Sequence, residues 1–393
     1  MKKEEVFKTY QDCILNTYLR FPTIFVKAKG MKLIDIDGKE YLDFFPGWGV
    51  SNLGHCHPKI MAAIRDQVSK LIHIPNNFYT IPQARLAKEL IYCTFKGKVF
   101  FCNSGAEANE AAIKFARAYG QGRRYEIITF ENSFHGRTLG ALAATGQKKY
   151  QQGFEPLPAG FKTVKFNSLL DLESAITDKT IAIMLELIQG EGGINVADRA
   201  FVFKLREICD KNDLLLIIDE VQTGIGRTAK MFAYQHFDIQ PDIITLAKAL
   251  GGGLPIGAMI VKDSIADVLK PGMHASTFGG GAVVCKAALA VLKTIQKEHL
   301  LKNAEKMSDY LFDKLENLKA KHKIIKAIRG MGLMIGVELN IEAKAVMEEC
   351  LRRGLVINCT HNTVLRLMPA LNVTKKQIDK AIHILDKSLL NYS

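Results

Sequence analysis

A carboxylate closing an apolar run and a lysine set among small residues are the strongest chemical features of this chain. In Leu214-Leu-Leu-Ile-Ile-Asp219-Glu-Val-Gln222 the apolar run predicts a buried strand, Leu214 to Ile218, that delivers Asp219 at its C-terminal edge. Open α/β sheets place their ligands at that edge. Lys248 follows 29 residues after Asp219, in Thr245-Leu-Ala-Lys248-Ala-Leu-Gly-Gly-Gly, just beyond a second apolar run. A carboxylate so placed can keep a pyridine nitrogen protonated, and a desolvated lysine that keeps some neutral amine can form a Schiff base. Protonated ring and imine together make an electron sink. Each residue alone has a plainer reading, since Asp-Glu after an apolar run also occurs in nucleotide hydrolases and most lysines are solvated.

Further segments supply what such a centre needs. Asn103-Ser104-Gly105-Ala106-Glu107 follows the apolar run Val99 to Cys102. Ser104 and Glu107 have capping-box spacing, and the small Gly105 and Ala106 let the N–H groups of a helix start approach a phosphate. In Phe134-His135-Gly136-Arg137-Thr138 a phenyl ring can stack on a heteroaromatic face, and Arg137 can make a bidentate pair with a carboxylate. A second arginine, Arg366, stands in Leu365-Arg366-Leu-Met-Pro369, and two glutamates, Glu186 and Glu191, flank Gln189-Gly190. His55-Cys56-His57 invites a metal reading, but a zinc site needs three or four ligands and no closing cluster is evident, so no metal is expected.

These residues need a scaffold. From Val99 to Val261 short apolar runs alternate with amphipathic segments: Val99 to Cys102, Ile127 to Phe130, Thr163 to Phe166, Ile181 to Leu187, Leu214 to Ile218, Ile243 to Leu246 and Gly257 to Val261. That rhythm predicts an α/β fold with a large, mostly parallel sheet. Beyond Pro271-Gly272 the pattern turns to two long helices, 282–296 and 300–319, then hairpin-like strands and a final helix from Thr374, a smaller α+β domain. The expected division is residues 1–55 packing with the small domain, 56–270 as the large domain and 271–393 as the small one.

Taken together these motifs resemble the class-III aminotransferases, most closely the N-acetylornithine aminotransferases of arginine biosynthesis, from about Phe21 to the C-terminal helix. The resemblance implies fold type I, pyridoxal 5'-phosphate as cofactor and a homodimer with shared active sites. It implies that Lys248 and Asp219 are catalytic, and that Ser104, Gly105 and Ala106 cup the phosphate. Phe134 would stack on the ring, Val221 pack against it and Gln222 contact its hydroxyl, while Thr277 would reach the phosphate of the neighbouring subunit's cofactor. Arg137 would bind the α-carboxylate of N2-acetyl-L-ornithine. Arg366 would bind that of 2-oxoglutarate or glutamate, with Glu191, in preference to Glu186, masking it in the other half of the cycle. Trp48, in Phe44-Phe-Pro-Gly-Trp48, departs from the family pattern, where that position is commonly aliphatic or tyrosine. Related donors, namely ornithine, succinylornithine, an N-succinyl-diaminopimelate precursor or 4-aminobutyrate, and an aminomutase reaction, are the alternatives.

Composition narrows the class. A chain of 393 residues with 48% hydrophobic content can bury a large core. The N-terminus, Met1-Lys-Lys-Glu-Glu-Val-Phe-Lys8, carries acids and lacks an apolar core, which predicts no secretion signal, and no apolar run of membrane-spanning length occurs, so a cytoplasmic protein is expected. Eight cysteines without a C-x-x-C pair suit reduced thiols. The formal charge of +13 is dispersed, which predicts solvated faces and a field favouring anionic substrates over nucleic-acid binding. No G-x-G-x-x-G follows a strand, which disfavours a nicotinamide dehydrogenase.

Overall fold

A computed structural model describes residues 1–392; the last residue of the expected 271–393 domain, Ser393, lies outside the described residues. Its largest sheet has seven strands, in the spatial order Gly97–Cys102, Gly257–Lys262, Ile243–Leu246, Leu215–Asp219, Thr180–Leu185, Glu126–Phe130 and Phe161–Val164. The last five run parallel, and Gly257–Lys262 is antiparallel to both its neighbours. Strands 180–185, 215–219 and 243–246 are buried at every position. That is why they read as unbroken apolar runs: both faces of a parallel sheet are covered. Ile128, Ile183, Leu216, Ile218 and Ile244 pack into one core layer, and Ile127, Met184, Leu215, Ile217 and Ile243 into the other, the two-residue period of a pleated strand.

Register brings the chemistry to one edge. Asp219 pairs with Thr245 on the neighbouring strand, and Ile218 pairs with Leu185, so Asp219, Glu186 and the turn leading to Lys248 leave the sheet together. One strand lies elsewhere than expected. The run Thr163 to Phe166 is instead strand Phe161–Val164, because its parallel register pairs Phe161 with Ile127. Phe166 is apolar for another reason, packing its ring against Phe130 at 5.9 Å and Phe201 at 6.3 Å.

Strands Phe25–Lys29, Lys32–Asp35 and Glu40–Asp43 form an antiparallel sheet that Leu355–Val356 joins in parallel register. A third sheet carries Ile325–Met331, Met334–Leu339, Val364–Leu367 and Asn358–Thr360. Helices Ala282–Lys297 and Leu300–Lys321 match the expected long helices, and Lys375–Leu389 starts at Thr374, whose hydroxyl accepts from the Gln377 N–H in a full capping box. Among the described residues no helix is long and apolar enough to cross a membrane.

Candidate active site

Asp219 is buried, and its oxygens have a dense set of donors. Oδ2 accepts from Asn109 Nδ2 at 2.8 Å and pairs with His135 Nδ1 at 2.8 Å, while Oδ1 accepts from the Val221 N–H at 3.0 Å. Asn109 itself is fixed: it donates to the His135 carbonyl at 2.6 Å and accepts from Thr245 Oγ1 at 2.7 Å. This network is local only in space. Helix Gly105–Tyr119 carries Asn109, and the loop after strand Glu126–Phe130 carries His135.

Lys248 stands two residues past strand Ile243–Leu246 with φ 41°, a left-handed backbone that is rare for a lysine. Such a conformation costs on the order of 1 kcal/mol and persists where surrounding structure enforces it. Its side chain keeps some exposed surface, yet its surroundings are dense: burial lowers the ammonium below its usual value, the Glu191 and Asp219 carboxylates oppose that, and the Arg366 charge adds to it. A lowered ammonium places more neutral amine at working pH.

Ser104 Oγ accepts from the Glu107 N–H at 3.1 Å, so the helix is capped as expected. The capping box is incomplete in one respect. Glu107 Oε2 reaches back to the N–H of Asn103, one residue earlier than Ser104, because Asn103 leaves the strand as the last turn before the cap. The amides of Gly105 and Ala106 belong to the first turn, where a helix offers no internal partner. A Cβ on Gly105 would lie 2.7 Å from Val221 Cγ1, and a Cβ on Gly136 2.8 Å from Ala106 Cβ. Two glycines therefore let the segment after Asp219 and the segment 134–137 close on the helix start.

Arg366 is fully buried and fully engaged. Nη1 pairs with Glu191 Oε1 at 2.7 Å and donates to the Gly190 carbonyl at 2.8 Å and Gln222 Oε1 at 3.2 Å; Nη2 donates to Asn358 Oδ1 at 2.7 Å. Its Cζ lies 4.7 Å from the Phe45 ring centroid, and Trp48 meets Phe45 edge-on at 5.7 Å. Trp48 is 48% exposed and has φ 57°. Glu186 makes no hydrogen bond or ion pair with Arg366 among the described residues; it accepts instead from the N–H groups of Phe134 and Gly190. Arg137 is exposed, with its Cζ 4.3 Å from the Tyr150 ring centroid and 5.4 Å from that of Phe134. Tyr150, Trp48, Glu191 and Asn358 line a cleft of about 1280 Å³.

Most expected residues thus converge. Thr277 does not: it is exposed in a loop where its neighbour Ser276 bonds Asn103 Nδ2 at 3.2 Å. His55 and His57 also go separate ways, His55 to Asp43 at 2.7 Å and His57 towards Glu298 at 4.0 Å. Sequence reasoning missed Asn109, Thr245, Asn358 and Tyr150. Asn109 carried a readable signal, because a poor helix former beside the apolar stripe of a helix calls for a partner.

The donor set fits pyridoxal phosphate: an anchored carboxylate, a desolvated lysine, two helix-start amides with no hydrogen-bond acceptor among the described residues in a glycine cradle, and the phenyl ring of Phe134 on the neighbouring segment. Fold and site define a pyridoxal-phosphate transaminase, and the chain belongs to the class-III aminotransferases, matching that family over residues 15–389. It is 53% identical over 379 residues to the acetylornithine aminotransferase of Methanocaldococcus jannaschii, covering 95% of each chain. It is 42% identical to the succinylornithine transaminase of Yersinia pseudotuberculosis, over 95% of this chain and 94% of that one. A structure of the ornithine aminotransferase of Toxoplasma gondii, with pyridoxal phosphate partly occupying its active site, superposes with a TM-score of 0.95 at 32% identity, over 99% of this chain and 94% of that one.

Proposed function

We propose that this enzyme transfers the δ-amino group of N2-acetyl-L-ornithine to 2-oxoglutarate, giving N-acetylglutamate semialdehyde and glutamate, a step of arginine biosynthesis in the cytoplasm. The observation that carries the reading is the Glu191–Arg366 pair beside Lys248. A donor that entered with its α-carboxylate next to the reacting amine would need a free cation there. With Arg366 neutralised, the donor presents a terminal amine instead, and its carboxylate lies farther out, at Arg137. The near-full-length likeness to an acetylornithine aminotransferase supports the acyl group, and the exposed Trp48 indole in the cleft offers it an apolar wall.

Bound pyridoxal phosphate supplies the electron sink that makes the substrate C–H acidic. The Gly105 and Ala106 amides and the Ser104 segment would hold its phosphate, Phe134 and Val221 would enclose its ring, and Gln222 would meet its hydroxyl. Asp219, held in place by Asn109 and His135, would accept the ring nitrogen's N–H. Lys248 Nζ would take the proton from the donor's amine-bearing carbon and pass it to the cofactor, then carry a proton the other way, to the acceptor's carbon, in the second half. When the acceptor enters, Glu191 swings from Arg366, which then binds the acceptor α-carboxylate. Thr277 completes the phosphate site of a second copy, so the active form is a homodimer. In this reading residues 1–55 work with the small domain, 271–393, against the large domain, 56–270.

A succinylated donor is the second reading, favoured by the likeness to the succinylornithine enzyme. Measuring kcat/KM for N2-acetyl-L-ornithine, succinylornithine, ornithine and 4-aminobutyrate with 2-oxoglutarate decides between them. The acetylated donor is expected to lead by about tenfold or more, since an acyl difference is worth roughly 1–3 kcal/mol in a fitted pocket. A lead by ornithine or 4-aminobutyrate would overturn the assignment.

A further inference from the structure

Glu186 takes no part in the roles above, yet it is a buried carboxylate at the same sheet edge. It has no ion-pair partner among the described residues. Its two oxygens accept backbone N–H groups from two different loops, Phe134 at 2.9 Å to Oε2 and Gly190 at 3.3 Å to Oε1. Phe134 begins the segment that carries the ring-stacking phenyl and Arg137. Gly190 precedes Glu191, and its own carbonyl accepts from Arg366 Nη1. Burying a carboxylate without a cation is costly, and an apolar side chain would fill this strand end more cheaply.

We infer that Glu186 is a positioning residue, a strap that fixes the ring-stacking segment 134–137 and the arginine-masking segment 189–191 to one strand end beside Asp219. The inference rests on the roles proposed for Phe134, Glu191 and Arg366. The two amides belong to loops 56 positions apart; Gln189 Nε2, donating to the Glu131 carbonyl at 2.7 Å, is a second tie between those loops, and Glu186 is the group that fastens both to the end of strand Thr180–Leu185. The charged groups around it are His135 and Asp219 directly, with Lys248, Glu191 and Arg366 beyond. Burial pushes its carboxyl up to about 7, Asp219 pushes the same way, and His135 with the two N–H donors opposes them. Protonation puts an O–H where an acceptor is needed, so the strap loosens as pH falls below neutrality.

Amide hydrogen exchange on the full chain, with and without pyridoxal phosphate, tests this in the parent, Glu186→Gln and Glu186→Ala. Gln keeps the shape but offers one acceptor oxygen in place of two. Exchange in peptides covering 132–137 and 188–193 should quicken about tenfold in either variant, the change expected from losing a charge-assisted hydrogen bond, while strand Leu215–Asp219 stays protected. In the loaded protein the pH midpoint of the visible cofactor band should move to lower pH, because a carboxylate that favours the charged lysine nitrogen is gone. Unchanged exchange in both segments of folded variants, or protection lost evenly along the chain, would overturn the strap. The exchange prediction holds in the cofactor-free chain as well, so failure of the cofactor reading shows separately, as absence of a Lys248-dependent visible band.

Discussion

Asp219 and Arg366 show how single residues are set for opposite uses. Asp219 is held by donors that keep it an acceptor, so Asp219→Asn places an amide N–H against Asn109 and His135 and removes the charge that keeps a ring nitrogen protonated. We expect kcat to fall on the order of 10²-fold or more, with far-UV circular dichroism unchanged; near-parental turnover would contradict the role. Arg366 is held by Glu191, and in the proposed cycle the acceptor's carboxylate competes for it. Glu191→Ala leaves Arg366 uncompensated, so donors with an α-carboxylate beside the amine, glutamate above all, should gain relative to N2-acetyl-L-ornithine by about tenfold in kcat/KM, roughly 1.4 kcal/mol. Equal loss for both donors would show that Glu191 does not gate Arg366.

At the scale of elements, Asp219, Lys248 and the Ser104–Ala106 turn each stand at or just beyond a strand end or at a helix start, and those were legible. The apolar runs ending at Asp219 and Leu246 are unbroken because the sheet is covered on both faces, and Ser104 and Thr374 announce helices by capping chemistry. What joins the elements was not legible. Asn109 meets Asp219 across 110 positions and Asn358 meets Arg366 across an antiparallel pair, contacts that packing decides and local spacing does not encode. Phe166 misled for the same reason, being apolar for a neighbouring helix and not for its strand. Glu220, beside Asp219, adds a consequence at this scale. It accepts from Thr223 Oγ1 and the Tyr234 N–H, and burial pushes its carboxyl up to about 7 from 4.5. An acid with a raised folded pKa contributes stability that is complete below its unfolded value and lost as pH rises through its folded one. Glu220→Gln should therefore flatten the dependence of unfolding free energy on pH between about 4.5 and 7, a slope worth on the order of 1–3 kcal/mol, in denaturant titrations at several pH values. An unchanged slope would show that Glu220 ionises normally.

The whole molecule gathers segments distant in sequence, Trp48, Tyr150, Glu191 and Asn358, around one cleft, with Arg366 bonded to Glu191 and Asn358 behind it, and leaves apolar side chains facing outward elsewhere. Ile72, Phe78, Tyr79, Ile81 and Phe278 are large apolar side chains exposed on the single chain, and Thr277 directly precedes Phe278. Such a surface suits association with a second copy. Light scattering should return twice the 43.7 kDa chain mass, and Thr277→Val should weaken pyridoxal phosphate binding several-fold without altering that mass; a catalytically active monomer would contradict the shared-site account. The central claim is that Lys248 and Asp219 run a two-stage amino exchange with N2-acetyl-L-ornithine as donor. It is tested most directly by following the visible cofactor band of the purified enzyme on addition of N2-acetyl-L-ornithine alone. The account predicts rapid loss of the band, its return on adding 2-oxoglutarate, and no band at all in Lys248→Ala; a band that persists with N2-acetyl-L-ornithine but falls with ornithine or 4-aminobutyrate would contradict it.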